Sequence, residues 1–140
     1  MTAAELIAFF PRCWPPPYCY DESYAVPTSH WLFGVFLREW KSARQADGLM
    51  GYVRRNDCDN FARSCAVAAQ DAWAKTPAAT PEDAEAVAVG EFCYHRSDGR
   101  GAHAIVAAIT DDGLTFVEPQ LCERVALTPA EIASAFRISF

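Results

Sequence analysis

The sequence predicts an α+β domain, with helices in its first half packed on an antiparallel sheet formed by its second half. Three observations predict it. Apolar residues recur at helical spacing as far as Trp73. From Ala86 they gather into short runs of strand length. Ser97-Asp98-Gly99 and Asp111-Asp112-Gly113 then supply tight-turn chemistry between those runs. Helices first and a meander afterwards imply an antiparallel sheet.

The elements follow in order. Ala3 to Phe10 reads as a short helix stopped by Pro11. The stretch Cys13-Trp14-Pro15-Pro16-Pro17-Tyr18 cannot be helix or central strand, and its aromatics suggest a strip lying across a surface or along a cleft. Ser29 is placed to cap a helix running to about Ala46, with Leu32, Val35, Phe36 and Trp40 on one face and Asp47-Gly48 ending it. Asp57 is an N-cap candidate for a second helix carrying Phe61, Cys65, Ala68, Ala69, Ala72 and Trp73. A loop is expected from Thr76 to Glu82. Strands are expected over Ala86–His95, Ala102–Thr110, Leu114–Glu118 and Glu123–Ala126. Thr128-Pro129-Ala130-Glu131 is a capping box with proline at the first helical position, opening a last short helix.

A chain of 140 residues fits one domain spanning 1–140, large enough to bury its own core. With 51% hydrophobic and 21% charged residues it is globular in composition. The net charge of −6, with no concentrated Lys/Arg face beyond Arg54-Arg55, removes the electrostatic drive for nucleic-acid binding. The longest apolar run, around Ala102 to Ile109, is too short to span a bilayer. The N-terminus has no basic start followed by a long apolar stretch, so no signal peptide and a cytoplasmic location are expected. Six cysteines without a C-x-x-C pair read mainly as small buried hydrophobes, not as disulfides or a zinc site.

Three stretches carry reactive chemistry: Asn56-Asp57-Cys58-Asp59-Asn60-Phe61-Ala62, Gly101-Ala102-His103-Ala104 and Phe116-Val117-Glu118-Pro119-Gln120. Cysteine catalysis needs a thiolate, and a helix start lowers a thiol pKa through its unsatisfied N–H groups and dipole. Cys58 stands at such a start, where its own N–H is also placed as an oxyanion donor. A base and an orienting group must then converge on the sulfur. His103 and Glu118, fifteen residues apart around one tight turn, come nearly opposite each other at one sheet end.

A helix-start cysteine followed by histidine and acid on adjacent strands resembles the papain-like superfamily. More narrowly, D-C-D-[DN]-F-A … [GA]-H-A … F-[VE]-E-P-Q is similar to the C-terminal cysteine-protease domain of the Marasmius agglutinin and to phage and bacterial proteins with the same stretches. The match covers Asn56 to Gln120 with its flanks. The resemblance implies a papain-like peptidase acting on a peptide or protein substrate, with Cys58 as nucleophile, His103 as base and Glu118 orienting it. It also implies calcium or manganese near the cysteine, at Asp59 and Asn60. Asn60 replaces the more usual aspartate, which weakens such a site by one charge.

Each residue also has a plain structural reading. Cys58 can be a buried helix-start thiol, raised in pKa by its acidic neighbours. His103 can be a core histidine bonded to backbone. Glu118, if buried, needs a partner, and His103 is the one within reach. Gln120 supports an oxyanion or is a surface residue. Asp57 is a cap first and a metal ligand second. The rivals to a peptidase are a catalytically silent structural or binding module, an amidase or acyl transferase, and a calcium-binding module built on Asp57, Asp59 and Asn60.

Overall fold

The computed structural model describes residues 1–51, 57–76 and 86–140. Thr2 and Glu5 close a capping box at the start of helix α1 (Ala3–Ile7), which buries Leu6. The helix expected to reach Phe10 ends three residues sooner. The N–H groups of Phe9 and Phe10 bond back to the carbonyls of Leu6 and Ile7, a tightening into three-residue turns ahead of Pro11.

The single helix expected from Ser29 is two pieces: a π-helical stretch His30–Phe36 and α2 (Leu37–Ala46). Ser29 does not cap it. The Ser29 hydroxyl lies 3.0 Å from Thr110 Oγ1 and its N–H donates to Asp111 at 2.7 Å, while Thr28 Oγ1 accepts the N–H of Trp31. The wide winding has a packing counterpart. Trp31 and Phe36 are five residues apart, one π turn, and their rings stack 5.4 Å apart while Trp31 meets Trp73 edge-on. Gly48, at φ +68°, closes α2 as the left-handed residue that such an ending requires.

Helix α3 (Cys58–Ala74) starts after Asp57, as its spacing predicts, but the Asp57 carboxylate makes no cap bond. It accepts instead from the Asn60 side-chain amide at 3.0 Å. Phe61, Ala62, Cys65 and Ala69 of α3 are wholly buried. Asn56, Arg54-Arg55 and all but Thr76 of the loop expected over 76–82 lie outside the described residues.

The expected strand Ala86–His95 is divided. Strand β2 (Ala86–Val87) pairs in parallel with β1 (Tyr24–Ala25), and β3 (Val89–His95) joins the main sheet. Ala88 is the switch: its N–H bonds to Ala25 and its carbonyl accepts from Ile109. Strands β4 (Ala102–Thr110), β5 (Gly113–Glu118), β6 (Glu123–Val125) and β7 (Arg137–Ser139) complete an antiparallel sheet ordered β6-β5-β4-β3-β7. Thr128 and Glu131 form the expected capping box at α4 (Pro129–Ala133). The α+β class and the antiparallel sheet therefore hold.

Both faces of the sheet are covered, which is why β4 reads as a continuous apolar run. Ile105, Ala107 and Ile109 face Phe92, Phe116, Phe10 and Phe140. Val106 and Ala108 face Leu32, Trp40, Phe61 and Cys65 on the helix side. All six cysteines are free thiols, three buried and three half-buried. Among the described residues no helix is long and apolar enough to cross a membrane.

Candidate functional site

His103 and Glu118 meet. Gly101, at φ +85°, turns the chain into β4, so that His103 is its second residue. Val106 pairs with Val117 across β4 and β5, which carries Glu118, at the end of β5, level with the same sheet end. His103 Nε2 lies 2.7 Å from Glu118 Oε2, with both side chains almost fully shielded. The other carboxylate oxygen accepts the N–H of Gln120 at 3.3 Å. The Tyr94 ring stands edge-on to the imidazole, centroids 6.0 Å apart. Gln120 has a buried side-chain nitrogen with no partner among the described residues.

Cys58 packs against Ala62, Cys93 and Ala104. Alternation along β4 sends Ala104 towards α3 and His103 to the side of Ile105 and Tyr94. The thiol and the imidazole thus share one sheet end, on either side of the same strand, and no hydrogen bond joins them among the described residues. The bond to Glu118 occupies Nε2 and leaves Nδ1 as the nitrogen open to another group.

The acids around Cys58 serve one another. A hydrogen bond between Asp57 and Asp59 pushes Asp57 above the ordinary carboxylate range and Asp59 below it. Asp59 also lies 3.9 Å from Arg63. Asn60 turns its amide nitrogen, not its oxygen, towards Asp57. Among the described residues no three His, Cys, Asp or Glu side chains gather as metal ligands.

A cleft lies elsewhere, between α3 and the β7 edge of the sheet. About 670 Å³ in volume, it is lined by Tyr18, Tyr20, Arg63, Val67, Glu91 and Arg137 among others. Tyr18 and Tyr20 are 63% and 74% exposed, and their rings meet edge-on at 4.7 Å. The segment bearing them is anchored to β7: the Tyr18 N–H bonds to Ile138, and the N–H groups of Phe140 and Tyr20 bond to Tyr18 and Phe140. At its base, Glu91 is buried and accepts from Arg137 at 2.7 Å, with Arg63 at 3.9 Å. The aromatic strip was expected to lie across a surface or along a cleft; Tyr18 and Tyr20 line this cleft, whereas Trp14 is exposed and does not. Glu91, Arg63 and Arg137 were not singled out. The signal was available in Val87-Ala88-Val89-Gly90-Glu91-Phe92-Cys93, where a carboxylate inside an apolar strand demands a cation.

No family model matches the chain, and no curated protein matches it. Solved structures do. The Polyporus squamosus lectin, bound to the human-type influenza-binding epitope Neu5Acα2-6Galβ1-4GlcNAc, is similar with a TM-score of 0.72 and 22% identity over all of this chain and 49% of the lectin chain. A second structure, PSL1a in complex with E64, is similar with a TM-score of 0.70 and 24% identity over all of this chain and 51% of that one. The chain spans about half the length of these structures, and what they share with it is a fold. The expectation of a cysteine peptidase or amidase acting on peptides is corrected on this finding: the fold is one shared with a lectin.

Proposed function

We propose that the chain is a binding module that holds a saccharide in the Tyr18–Tyr20 cleft. The observation that carries the reading is the pair of exposed tyrosines at the lip of a 670 Å³ cleft with an ionic floor. A sugar ring has an apolar C–H face and a polar rim. Exposed aromatic rings cover the first, and charged or amide groups bond the second. Contiguous exposed apolar surface rimmed by polar groups marks a binding site. A fold shared with a lectin that holds a sialylated trisaccharide supports this ligand class.

Calorimetric titration with Galβ1-4GlcNAc and with Neu5Acα2-6Galβ1-4GlcNAc tests it. Tyr20→Ala removes one stacking face, worth about 1 kcal/mol, and is expected to weaken binding about fivefold without shifting the melting temperature. Heat changes absent for both sugars, or affinity untouched by the substitution, remove the proposal.

A second reading is that Cys58 is a reactive thiol assisted by His103, with Glu118 and Gln120 beside it, and the 2.7 Å His103–Glu118 bond favours it. On this reading Cys58 is the first thiol of the chain to react. Burial pushes Cys93 up to about 11, so at pH 8 only about one Cys93 in a thousand is ionised. Iodoacetamide is expected to label Cys58 first, and about tenfold more slowly in His103→Ala. Labelling indifferent to His103 refutes this corner.

A further inference from the structure

We propose that Cys58 and Cys93 are a redox pair, two thiols placed to close a reversible disulfide between the first turn of α3 and β3. Pairing needs only that the two sulfurs meet, so it stands apart from saccharide binding and from any assistance by His103. Cys58 and Cys93 pack in one small cluster whose remaining members, among the described residues, are Ala62 and Ala104. Cys93 and Ala104 are register partners across β3 and β4, and Ala62 lies one helical turn after Cys58. With nothing larger than a thiol in that cluster, α3 approaches the sheet closely there.

The course of α3 brings the two residues level. Towards its end, the Gln70 side-chain amide bonds the backbone of Val87 and Val89. Nearer its start, Arg63 stands 3.9 Å from Glu91, so the helix runs antiparallel to β3. The twelve residues from Gln70 back to Cys58 cover about 18 Å of helix. That length of strand is about five or six residues, which leads from Val87 and Val89 to Cys93 or Tyr94. Val89, Glu91 and Cys93 share the face turned to α3, so the Cys93 sulfur points at the helix. A disulfide joins Cα atoms about 4.4–6.8 Å apart, a span suited to a helix and strand packed through small side chains.

Access sets the order of reaction. Cys58 is half-buried, whereas Cys93 is 2% exposed and burial pushes its thiol up to about 11. A small disulfide such as oxidised glutathione therefore meets Cys58 first. The Cys58 thiolate attacks one glutathione sulfur, the S–S bond breaks, and one glutathione leaves as thiolate. Cys93 then loses its proton to solvent, attacks the Cys58 sulfur and expels the second glutathione. Two protein thiols are oxidised, and one oxidised glutathione is reduced to two reduced ones. Contact within the cluster supplies the effective concentration that a weakly ionised thiol needs. The bond closes a loop of thirty-five positions and pins the start of α3 to the strand that carries Glu91.

Oxidised glutathione added to the fully reduced chain, followed by alkylation, digestion and mass spectrometry, tests this. Wild type is expected to lose two hydrogens and yield a peptide linked through Cys58 and Cys93. Its melting temperature should rise by about 5–10 °C, and dithiothreitol should reverse both changes. In Cys93→Ala the reaction should stop at Cys58 carrying one glutathione, with no such rise. His103→Ala should still yield the linked peptide, which separates this pairing from the reading that His103 assists Cys58. A wild-type chain that stays reduced, that keeps glutathione on Cys58, or that links Cys65 to Cys122 in the helix-side core instead, overturns the proposal.

Discussion

Arg137→Met leaves the Glu91 carboxylate buried in β3 with a single cation 3.9 Å away, since the 2.7 Å bond to Arg137 is lost. A charge-assisted hydrogen bond contributes about 1.5–3 kcal/mol, and loss of one partner leaves the other's desolvation uncompensated. Arg137 is itself half-exposed, so solvent screens the pair and the lower end applies, about 1.5 kcal/mol. Unfolding entropy of about 2.1 cal/mol/K per residue over 140 residues gives about 0.3 kcal/mol/K. The substitution should therefore lower the melting temperature by about 5 °C.

The assay is urea unfolding of a double-mutant cycle with Glu91→Gln. Glu91→Gln alone frees Arg137 into solvent and should cost less than Arg137→Met. The double variant buries no charge and should regain much of the loss, giving a coupling of about 1–2 kcal/mol. Strict additivity, or a cost for Arg137→Met below about 0.5 kcal/mol, refutes the claim that Glu91 depends on Arg137.

Two further outcomes follow. The N–H groups of Thr128 and Ser97, followed by their hydroxyls, bond Glu131 and hold its carboxyl at about 2 against an ordinary 4.5. A depressed folded pKa adds stability that is complete above about 4.5 and is lost as pH falls towards 2. Stability measured across that window should fall less steeply in Glu131→Gln than in wild type; an unchanged acid slope refutes the assignment. A Cβ at Gly90 would lie 2.1 Å from the Ser139 carbonyl oxygen and 2.9 Å from the Phe140 ring. Gly90→Ala should therefore cost about 2–3 kcal/mol and speed amide exchange along β7, and wild-type stability in urea would contradict that packing.

What the sequence makes legible is what local pattern encodes. The bounds of β4, the Thr128–Glu131 box and the start of α3 each rest on a few neighbouring residues, and each stands where spacing puts it. The approach of His103 to Glu118 was legible for the same reason, because one tight turn converts a fifteen-residue interval into a contact. Strands β1 and β7 were not. They are two and three residues long and exist only through partners 44 to 62 positions away, so no periodicity announces them. The cleft shares that difficulty. Its tyrosines, Arg63, Glu91 and Arg137 come from four separate parts of the chain, and only pairing of β7 with β3 and of the Tyr18 segment with β7 brings them to one wall. Function misled the sequence reading for a related reason. Three short motifs pointed to a peptidase, whereas the fold as a whole is shared with a lectin, and a fold does not dictate which of its surfaces works. That decision falls to side chains, and here the exposed aromatic and guanidinium groups gather at the cleft while Cys58 and His103 stand on either side of one strand.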